Sequence, residues 1–128
     1  MQAIDDKWAF GLDEAKLGDD GVVITPRGEL DIATAPALRE RINEILEGGA
    51  RRLVIDLSPV TFMDSVALAV ILHARTTLGA RGWFGVVVPE DSYTHLVFEI
   101  AGMLPTVRLF ETLEDALADA GGLSPAAG

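Results

Sequence analysis

The stretch Leu53-Val-Ile-Asp-Leu-Ser-Pro-Val-Thr-Phe-Met-Asp-Ser65 decides the fold, together with the apolar run Val66-Ala-Leu-Ala-Val-Ile-Leu72 that follows it. Its first residues are nearly all apolar, which is typical of a short strand buried on both faces of a sheet. Asp64 and Ser65 are residue types that commonly begin a helix. The apolar run after them predicts a helix that continues to about Leu78. The stretch therefore predicts a buried strand, a loop and a buried helix in succession.

Strand and helix patterns alternate on both sides of this stretch. Runs of β-branched and apolar residues predict strands, and apolar residues spaced three or four apart behind a capping residue predict helices. The predicted strands cover residues 8–17, 22–25, 53–57, 83–88 and 107–110, the first two as an antiparallel hairpin, and the predicted helices cover 34–46, 64–78, 92–101 and a last segment from 112. Residues 60–63 are interpreted as the end of a loop. The alternation predicts an α/β fold in which helices connect parallel strands by right-handed crossovers.

The composition is that of one acidic, folded domain. The 128 residues match the ~100–150 of a typical single core, and 49% hydrophobic residues are enough to fill one. We assign residues 1–120 to the domain and expect the small, uncharged tail 121–128 to be disordered. Twenty acidic against ten basic residues give a net charge of −10, which would repel the phosphates of nucleic acid. We therefore expect no direct binding to nucleic acid.

The cysteine and histidine content limits the chemistry that we expect of the chain. The hydropathy pattern limits its expected location. The chain has no cysteine and only two histidines, which leaves no disulfide or thiolate chemistry and little for a zinc site, so we predict no metal or cofactor. The N-terminal residues are charged and lack the apolar stretch of a signal peptide. The longest apolar run, residues 66–72, is far shorter than the ~18–20 residues that a membrane span needs. We expect a cytoplasmic protein without membrane insertion.

The residues that could act in catalysis do not form a working set. Ser65 would be the nucleophile, but His73 lies eight residues further along the same predicted helix, which is ~12 Å of helix rise. That separation is too large for a serine–histidine hydrogen bond. Nothing in the sequence brings His95 to Ser65, and the chain has neither a Gly-x-Ser-x-Gly elbow nor a glycine-rich phosphate loop. A small hydrolase using Ser65 is the weakest alternative, and we expect no enzymatic activity.

The helix that follows Ser65 is apolar on every side of its first two turns. A helix packed on one face of a sheet needs only an apolar stripe. Either neighbouring elements bury the whole helix, or another protein covers the additional apolar side. The spacing of apolar residues alone does not distinguish these two interpretations.

Two segments resemble the STAS domains of bacterial anti-sigma factor antagonists. One is residues 53–65 running into 68–72, and the other is Gly28-Glu-Leu-Asp-Ile-Ala-Thr-Ala-Pro-Ala-Leu38, which is similar to the family's Gly-Glu-Leu-Asp segment before its first helix. The resemblance covers about residues 22–117. It implies a single STAS-like domain, in which about four helices back a mixed, mostly parallel β-sheet.

The resemblance also implies a function without catalysis. In that family the unphosphorylated domain binds an anti-sigma factor, often a serine kinase of the histidine-kinase-like ATPase class, and so regulates sigma-factor-dependent transcription. The kinase phosphorylates a serine or threonine at the start of the helix, which breaks the complex, and a serine phosphatase restores it. By position Ser65 is the modified residue, Asp64 is the acidic residue before it, and Asp31 is the aspartate that lies beside the phosphorylation site.

The chain departs from the family pattern at this helix. Where the family has Asp-Ser, then Ser or Thr, then Gly, and a second Gly two residues further, this chain has Asp64-Ser-Val-Ala-Leu-Ala69. Alanine at both glycine positions would place Cβ atoms where a kinase approaches the backbone. We predict an anti-sigma factor antagonist that acts by partner switching, and this departure provides an alternative, a non-phosphorylated STAS module which scaffolds a regulatory or transport complex or binds a small ligand. We predict that the partner surface consists of Asp31, Asp64, Ser65, Val66 and Ala69.

Overall fold

Six strands and four helices follow one another within residues 9–104 and 106–121, the residues that the computed structural model describes. The strands are β1 (Gly11–Leu17), β2 (Gly21–Leu30), β3 (Arg52–Asp56), β4 (Val60–Met63), β5 (Trp83–Val87) and β6 (Leu109–Phe110). The helices are α1 (Ala35–Glu47), α2 (Ser65–Leu78), α3 (Tyr93–Ile100) and α4 (Leu113–Asp119), with a short 3₁₀ helix at Gly79–Arg81 after α2. The predicted alternation of strands and helices is confirmed. Residue 8 of the first predicted strand and residues 122–128 of the predicted tail lie outside the described residues.

The sheet is mixed and mostly parallel, as the resemblance implied. Its main path runs in the order β1-β2-β3-β5-β6, and β4 pairs with β2 beside this path. The predicted hairpin is confirmed, because β1 is antiparallel to β2, whereas the other strand pairs are parallel. Parallel strands direct their carboxyl ends to one edge, so the starts of the following helices are positioned there.

The structure corrects the prediction for residues 60–63, which form strand β4 and not the end of a loop. β4 pairs in parallel with the second half of β2, and Leu30 lies opposite Met63. The first half of β2, residues 21–24, pairs with β3. Pro26, which has no N–H to donate, lies between the two partnerships, and Gly28 takes φ +89° where the register shifts. The short strand escaped prediction because both of its middle residues are exposed and it therefore lacks alternation.

Different helices bury the two faces of the sheet. Helices α1, α2 and α3 cover the larger core, and α4 covers the smaller one. Consecutive strand residues point to opposite faces: Ile24, Ile55 and Val86 enter the larger core, and Val23, Val54 and Val87 enter the smaller one. Burial on both faces explains why the predicted strands at residues 53–57 and 83–88 are almost continuously apolar.

The predicted helix starts are confirmed, with one difference in how they are capped. Asp64, Ser92 and Thr112 each accept a hydrogen bond from a backbone N–H of the first helical turn. Thr34 occupies the N-cap position of α1, but its side chain makes no capping hydrogen bond. The Thr34 hydroxyl instead donates to the Glu29 carbonyl oxygen at 2.7 Å, so it ties the start of α1 to the end of β2.

Candidate partner-binding site

The carboxyl ends of β2 and β4 bring the two sequence motifs together. Their parallel pairing ends at Leu30 and Met63, and the next N–H, that of Asp64, donates to the Leu30 carbonyl oxygen at 3.2 Å. Asp31 directly follows β2, and Asp64 directly follows β4. Two aspartates that are 33 positions apart in sequence therefore leave neighbouring strands at the same edge of the sheet.

Asp64 and Ser65 form the start of α2. The backbone of Asp64 is extended, and its carboxylate Oδ1 accepts hydrogen bonds from the N–H groups of Val66 at 3.0 Å and Ala67 at 3.1 Å. Ser65 is the first residue of the helix and is exposed. Its side chain lies where the positive end of the helix dipole favours negative charge. The site thus presents an accessible hydroxyl group beside a carboxylate.

Asp31 shapes the loop that enters the site. Its carboxylate Oδ1 accepts from the backbone N–H of Ala33 at 2.9 Å and from that of Thr34 at 3.2 Å. Its own N–H donates to the Thr34 hydroxyl oxygen at 2.9 Å. Because these bonds close the turn before α1, Asp31 has a structural role in this loop.

Helix α2 is largely, but not completely, covered by its neighbours. At its start Ser65, Val66 and Ala69 are exposed, and Val66 keeps 38% of its surface accessible. The fold therefore buries most of the helix, and a strip at its start remains uncovered by the domain itself. The buried positions are Ala67, Leu68, Val70, Ile71, Ala74 and Leu78.

The expectation that both alanines would obstruct a kinase is wrong for Ala67. Ala67 has 0% exposed surface, whereas Ala69 is exposed. The methyl group of Ala67 faces the core and cannot meet an approaching protein. The departure from the family pattern is consequently smaller on the surface of the molecule than in its sequence.

Two exposed apolar side chains at this site were missed in the sequence analysis. Ile32, which follows Asp31, is 73% exposed, and Phe62 on β4 is 37% exposed. Phe62 was overlooked because its segment was interpreted as a loop. The only sequence indication of Ile32 was a large aliphatic residue in the polar turn before α1, outside the apolar periodicity of that helix.

The sequence segments that contain the residues of this site are acidic, although Arg75, which follows one of them, donates a hydrogen bond to the Thr106 carbonyl oxygen. These segments, residues 28–38, 53–74 and 82–107, contain no lysine or arginine, so all ten basic residues lie in other parts of the chain. A surface of this kind attracts a partner of positive charge. The acidic residues of the three segments are Glu29, Asp31, Asp56, Asp64, Glu90, Asp91 and Glu99.

His73 bonds within its own helix and does not pair with Ser65. The Nε2 atom of His73 lies 3.3 Å from the Thr77 hydroxyl oxygen, one turn further from Ser65 on the same helix. Among residues 9–104 and 106–121 there is no group of three or more His, Cys, Asp or Glu side chains that could hold a metal ion. In the same ranges, no helix combines the length and the apolar character that crossing a bilayer requires.

Comparison with protein families gives a match over most of the chain. The STAS domain family matches residues 14–116. Among characterised relatives, the chain is 41% identical over 95 residues to the anti-sigma-F factor antagonist RsfB of Mycobacterium tuberculosis. That alignment covers 74% of this chain and 77% of RsfB.

Solved structures share the fold over nearly its whole extent. An anti-sigma factor antagonist from Mycobacterium paratuberculosis is similar with a TM-score of 0.80 and 32% identity, covering 94% of this chain and 98% of that one. The unphosphorylated form of the anti-sigma factor antagonist SpoIIAA gives a TM-score of 0.71 at 25% identity, over 89% of this chain and 97% of SpoIIAA. The phosphorylated form of SpoIIAA from Bacillus gives 0.63 at 26% identity, over 87% and 98%.

Proposed function

The chain belongs to the STAS domain family, and from that premise we propose that it is an anti-sigma factor antagonist that acts by partner switching. In this function the unphosphorylated domain binds an anti-sigma factor, and a sigma factor is released to direct transcription. Phosphorylation of Ser65 breaks the complex. The relatives named above support the antagonist role, and the solved phosphorylated form of SpoIIAA supports control by phosphate.

One observation carries the proposal: an exposed serine at the first position of α2 stands among uncovered apolar side chains. Val66 and Ala69 on the helix, and Phe62 on the strand that leads into it, expose apolar surface that water solvates poorly. Interfaces between proteins typically combine such an apolar centre with a polar rim. Asp31 and Asp64 supply part of that rim. A hydroxyl group in the centre of this surface is well placed to switch binding, because modifying it changes the part that must be desolvated.

A phosphate on Ser65 would act on binding and leave the fold intact. It adds a charge of about −1.5 to −2 at neutral pH. The helix N-terminus favours that charge by ~0.3–1 kcal/mol, while Asp64 and Asp31 oppose it by repulsion that salt screens over ~8 Å. Because these effects are of similar size, the domain stays folded. Burying an unpaired charge against the partner, by contrast, costs several kcal/mol, which reduces affinity by about a thousandfold.

The proposal extends to the partner and the setting. We take the partner to be an anti-sigma factor that is also a serine kinase of the histidine-kinase-like ATPase class, with a serine phosphatase that removes the phosphate. The domain itself contributes binding and no catalysis. The anti-sigma factor is bound and the sigma factor is released in the cytoplasm, where transcription takes place.

A second candidate function is that of a STAS scaffold that is not phosphorylated. Its support is the departure from the family pattern, which on the surface consists of Val66 and Ala69. A scaffold would use the same uncovered strip of α2 to hold a regulatory complex together without a switch. The two functions differ in whether Ser65 ever carries phosphate.

Phosphoproteomic analysis of the protein purified from its native cells distinguishes the two functions. We expect a fraction of molecules with phosphate on Ser65, and we expect that fraction to be absent from the complex with the anti-sigma factor. A Ser65→Ala strain is the control for the assignment of the modified site. Absence of phosphate on Ser65 under every growth condition, with the complex still formed, would favour the scaffold.

A further inference from the structure

The outward face of α3 carries a row of exposed apolar side chains. Tyr93, Leu96 and Ile100 keep 45%, 47% and 76% of their surface accessible. We call these three residues the α3 stripe. Their spacing of three and four positions puts them on one side of the helix, whereas Thr94 and Phe98 on the opposite side are fully buried. The inner face anchors α3 to the core, and Tyr93 packs against Phe62, so it is the exposed surface of Leu96 and Ile100 that the packing of the domain does not use.

A stacked aromatic pair joins this stripe to the start of α2. The rings of Phe62 and Tyr93 lie with their centroids 5.5 Å apart and an angle of 19° between their planes. Phe62 belongs to β4, which leads directly into Asp64 and Ser65. The uncovered apolar surface therefore continues from Val66 across the aromatic pair to α3. Five of the six exposed large hydrophobic side chains within residues 9–104 and 106–121, all except Ile32, lie on the three elements that form this surface, β4, α2 and α3.

Charge limits what can cover the stripe. Glu99 is exposed on the same helix, and Glu90 and Asp91 are exposed in the turn that leads into it. The segment 82–107 has no lysine or arginine. A second copy of this surface would bring carboxylates against carboxylates, which disfavours a symmetric dimer through the stripe. The complementary partner is apolar at its centre and carries lysine or arginine around it.

We propose that the α3 stripe is the second half of the docking surface for the anti-sigma factor, and this inference rests on the proposed function. The start of α2 forms the half that contains Ser65, and the stripe forms a half that phosphate does not touch. The partner contacts both halves with one continuous apolar patch, and its basic residues face Glu90, Asp91 and Glu99. Aromatic and aliphatic side chains in the centre of an interface commonly supply most of its binding energy.

The test begins by trapping the partner at the first half of the surface. A photo-reactive phenylalanine analogue at position 66, expressed in the native cells, crosslinks the protein bound to the start of α2, and mass spectrometry identifies it. That protein is then purified and titrated calorimetrically with the full chain and its variants. Leu96→Asp and Ile100→Asp place a carboxylate on the stripe, and Ala118→Asp makes the same addition at an exposed position of α4 on the other face of the sheet.

We expect each of the two stripe variants to weaken binding by at least about tenfold, and Ala118→Asp to bind as the unmodified chain does. Leu96→Gln, which is neutral and close to leucine in size, keeps the test valid if an Asp variant lowers the melting temperature. We also expect Glu99→Lys to slow association by about threefold or more at low salt and by less at high salt, with little change in dissociation.

Three results would overturn the inference. If the stripe variants bind normally while Ser65→Glu does not bind, the proposed function stands and the stripe is not part of the docking surface. If Ser65→Glu binds as the unmodified chain does, the proposed function fails and the inference fails with it. If light scattering shows a dimer that Leu96→Asp converts to a monomer, the stripe holds a second copy of the chain and not the anti-sigma factor.

Discussion

The two edges of the sheet use charge in opposite ways. At the edge where β2 and β3 begin, Arg52 donates to the Asp20 carboxylate at 2.8 Å, to the Leu17 carbonyl oxygen at 3.0 Å and to the Ala120 carbonyl oxygen at 3.1 Å. One cation there joins the hairpin, β3 and the end of α4. At the edge where β2 and β4 end, the segments supply carboxylates and no basic residue, and apolar side chains are left uncovered. The first edge satisfies its polar groups internally, and the second leaves its surface for a partner.

Because of this difference, we expect one edge to contribute to the stability of the fold and the other to contribute to partner binding. A buried carbonyl group that loses its donor costs stability, whereas an exposed apolar side chain contributes nothing until another protein covers it. Substitutions at the Arg52 edge should therefore change the free energy of unfolding and leave binding unchanged. Substitutions at the Ser65 edge should do the reverse. Each of the following predictions tests one side of this separation.

The largest effect is expected at Ser65. Ser65→Glu places a permanent negative charge in the apolar centre of the site, and we expect affinity for the anti-sigma factor to fall by about a thousandfold with an unchanged circular dichroism spectrum. Ser65→Ala, which cannot be phosphorylated, should bind constitutively and is the matched control. Calorimetric titration of both variants gives the comparison. Equal affinities of the two variants would contradict the switch and promote the scaffold.

Ala69→Glu tests whether the strip on α2 belongs to the surface. The exposed position of Ala69 leads us to expect a loss of affinity of about 10- to 100-fold and a melting temperature close to that of the unmodified chain. Ala118→Glu, at an exposed position of α4, is the control and should change neither quantity. Unfolding of Ala69→Glu would assign that position to the core and would remove it from the partner surface.

Arg52→Ala tests the opposite edge. Only 19% of the Arg52 side chain is exposed, and its removal deprives the buried residues Leu17 and Ala120 of the donor to their carbonyl oxygens. We expect a loss of about 1–3 kcal/mol in the free energy of unfolding, measured by urea denaturation, and no change in partner affinity for the folded protein. Arg52→Lys keeps the charge without the forked donor and should recover only part of the loss. A variant that stays fully stable but loses the partner would break the separation between the two edges.

The sequence predicted the elements whose burial produces a recognisable pattern of apolar residues. It missed features that depend on which strands pair and on which side of a helix is buried. Residues 53–57 and 83–88 were predicted as strands because both faces are buried and nearly every position is apolar. Phe62 was missed because β4 has only four residues and pairs with the far half of β2, a contact that no local pattern encodes. The α3 stripe was missed because apolar residues occur on both sides of the helix and the polar Thr94 is buried, so the sequence does not reveal which side faces the core. Thr34 was correctly placed as the N-cap residue, but its hydroxyl bonds to Glu29, an alternative that sequence spacing does not reveal.

The smallest effect is expected at the ion pair that joins β1 to α1, away from the partner surface. The Arg41 guanidinium donates two hydrogen bonds to the Glu14 carboxylate, and this lowers the pKa of Glu14 below its ordinary value even though partial burial works in the opposite direction. Because the folded state holds the lower pKa, the pair stabilises the fold at pH values above the ordinary Glu value of 4.5, and this contribution is lost as the pH falls through the pKa of the folded state. Exposed ion pairs are weak, so we expect Glu14→Gln to be slightly less stable than the unmodified chain at pH 7 and equally stable in acid. Urea denaturation over this pH range measures the difference, with Glu40→Gln as the control for the same change of charge at an exposed position of α1. If the stability difference for Glu14→Gln is independent of pH and matches that of Glu40→Gln, the pair contributes nothing, and Arg52 becomes the main electrostatic tie away from the partner surface.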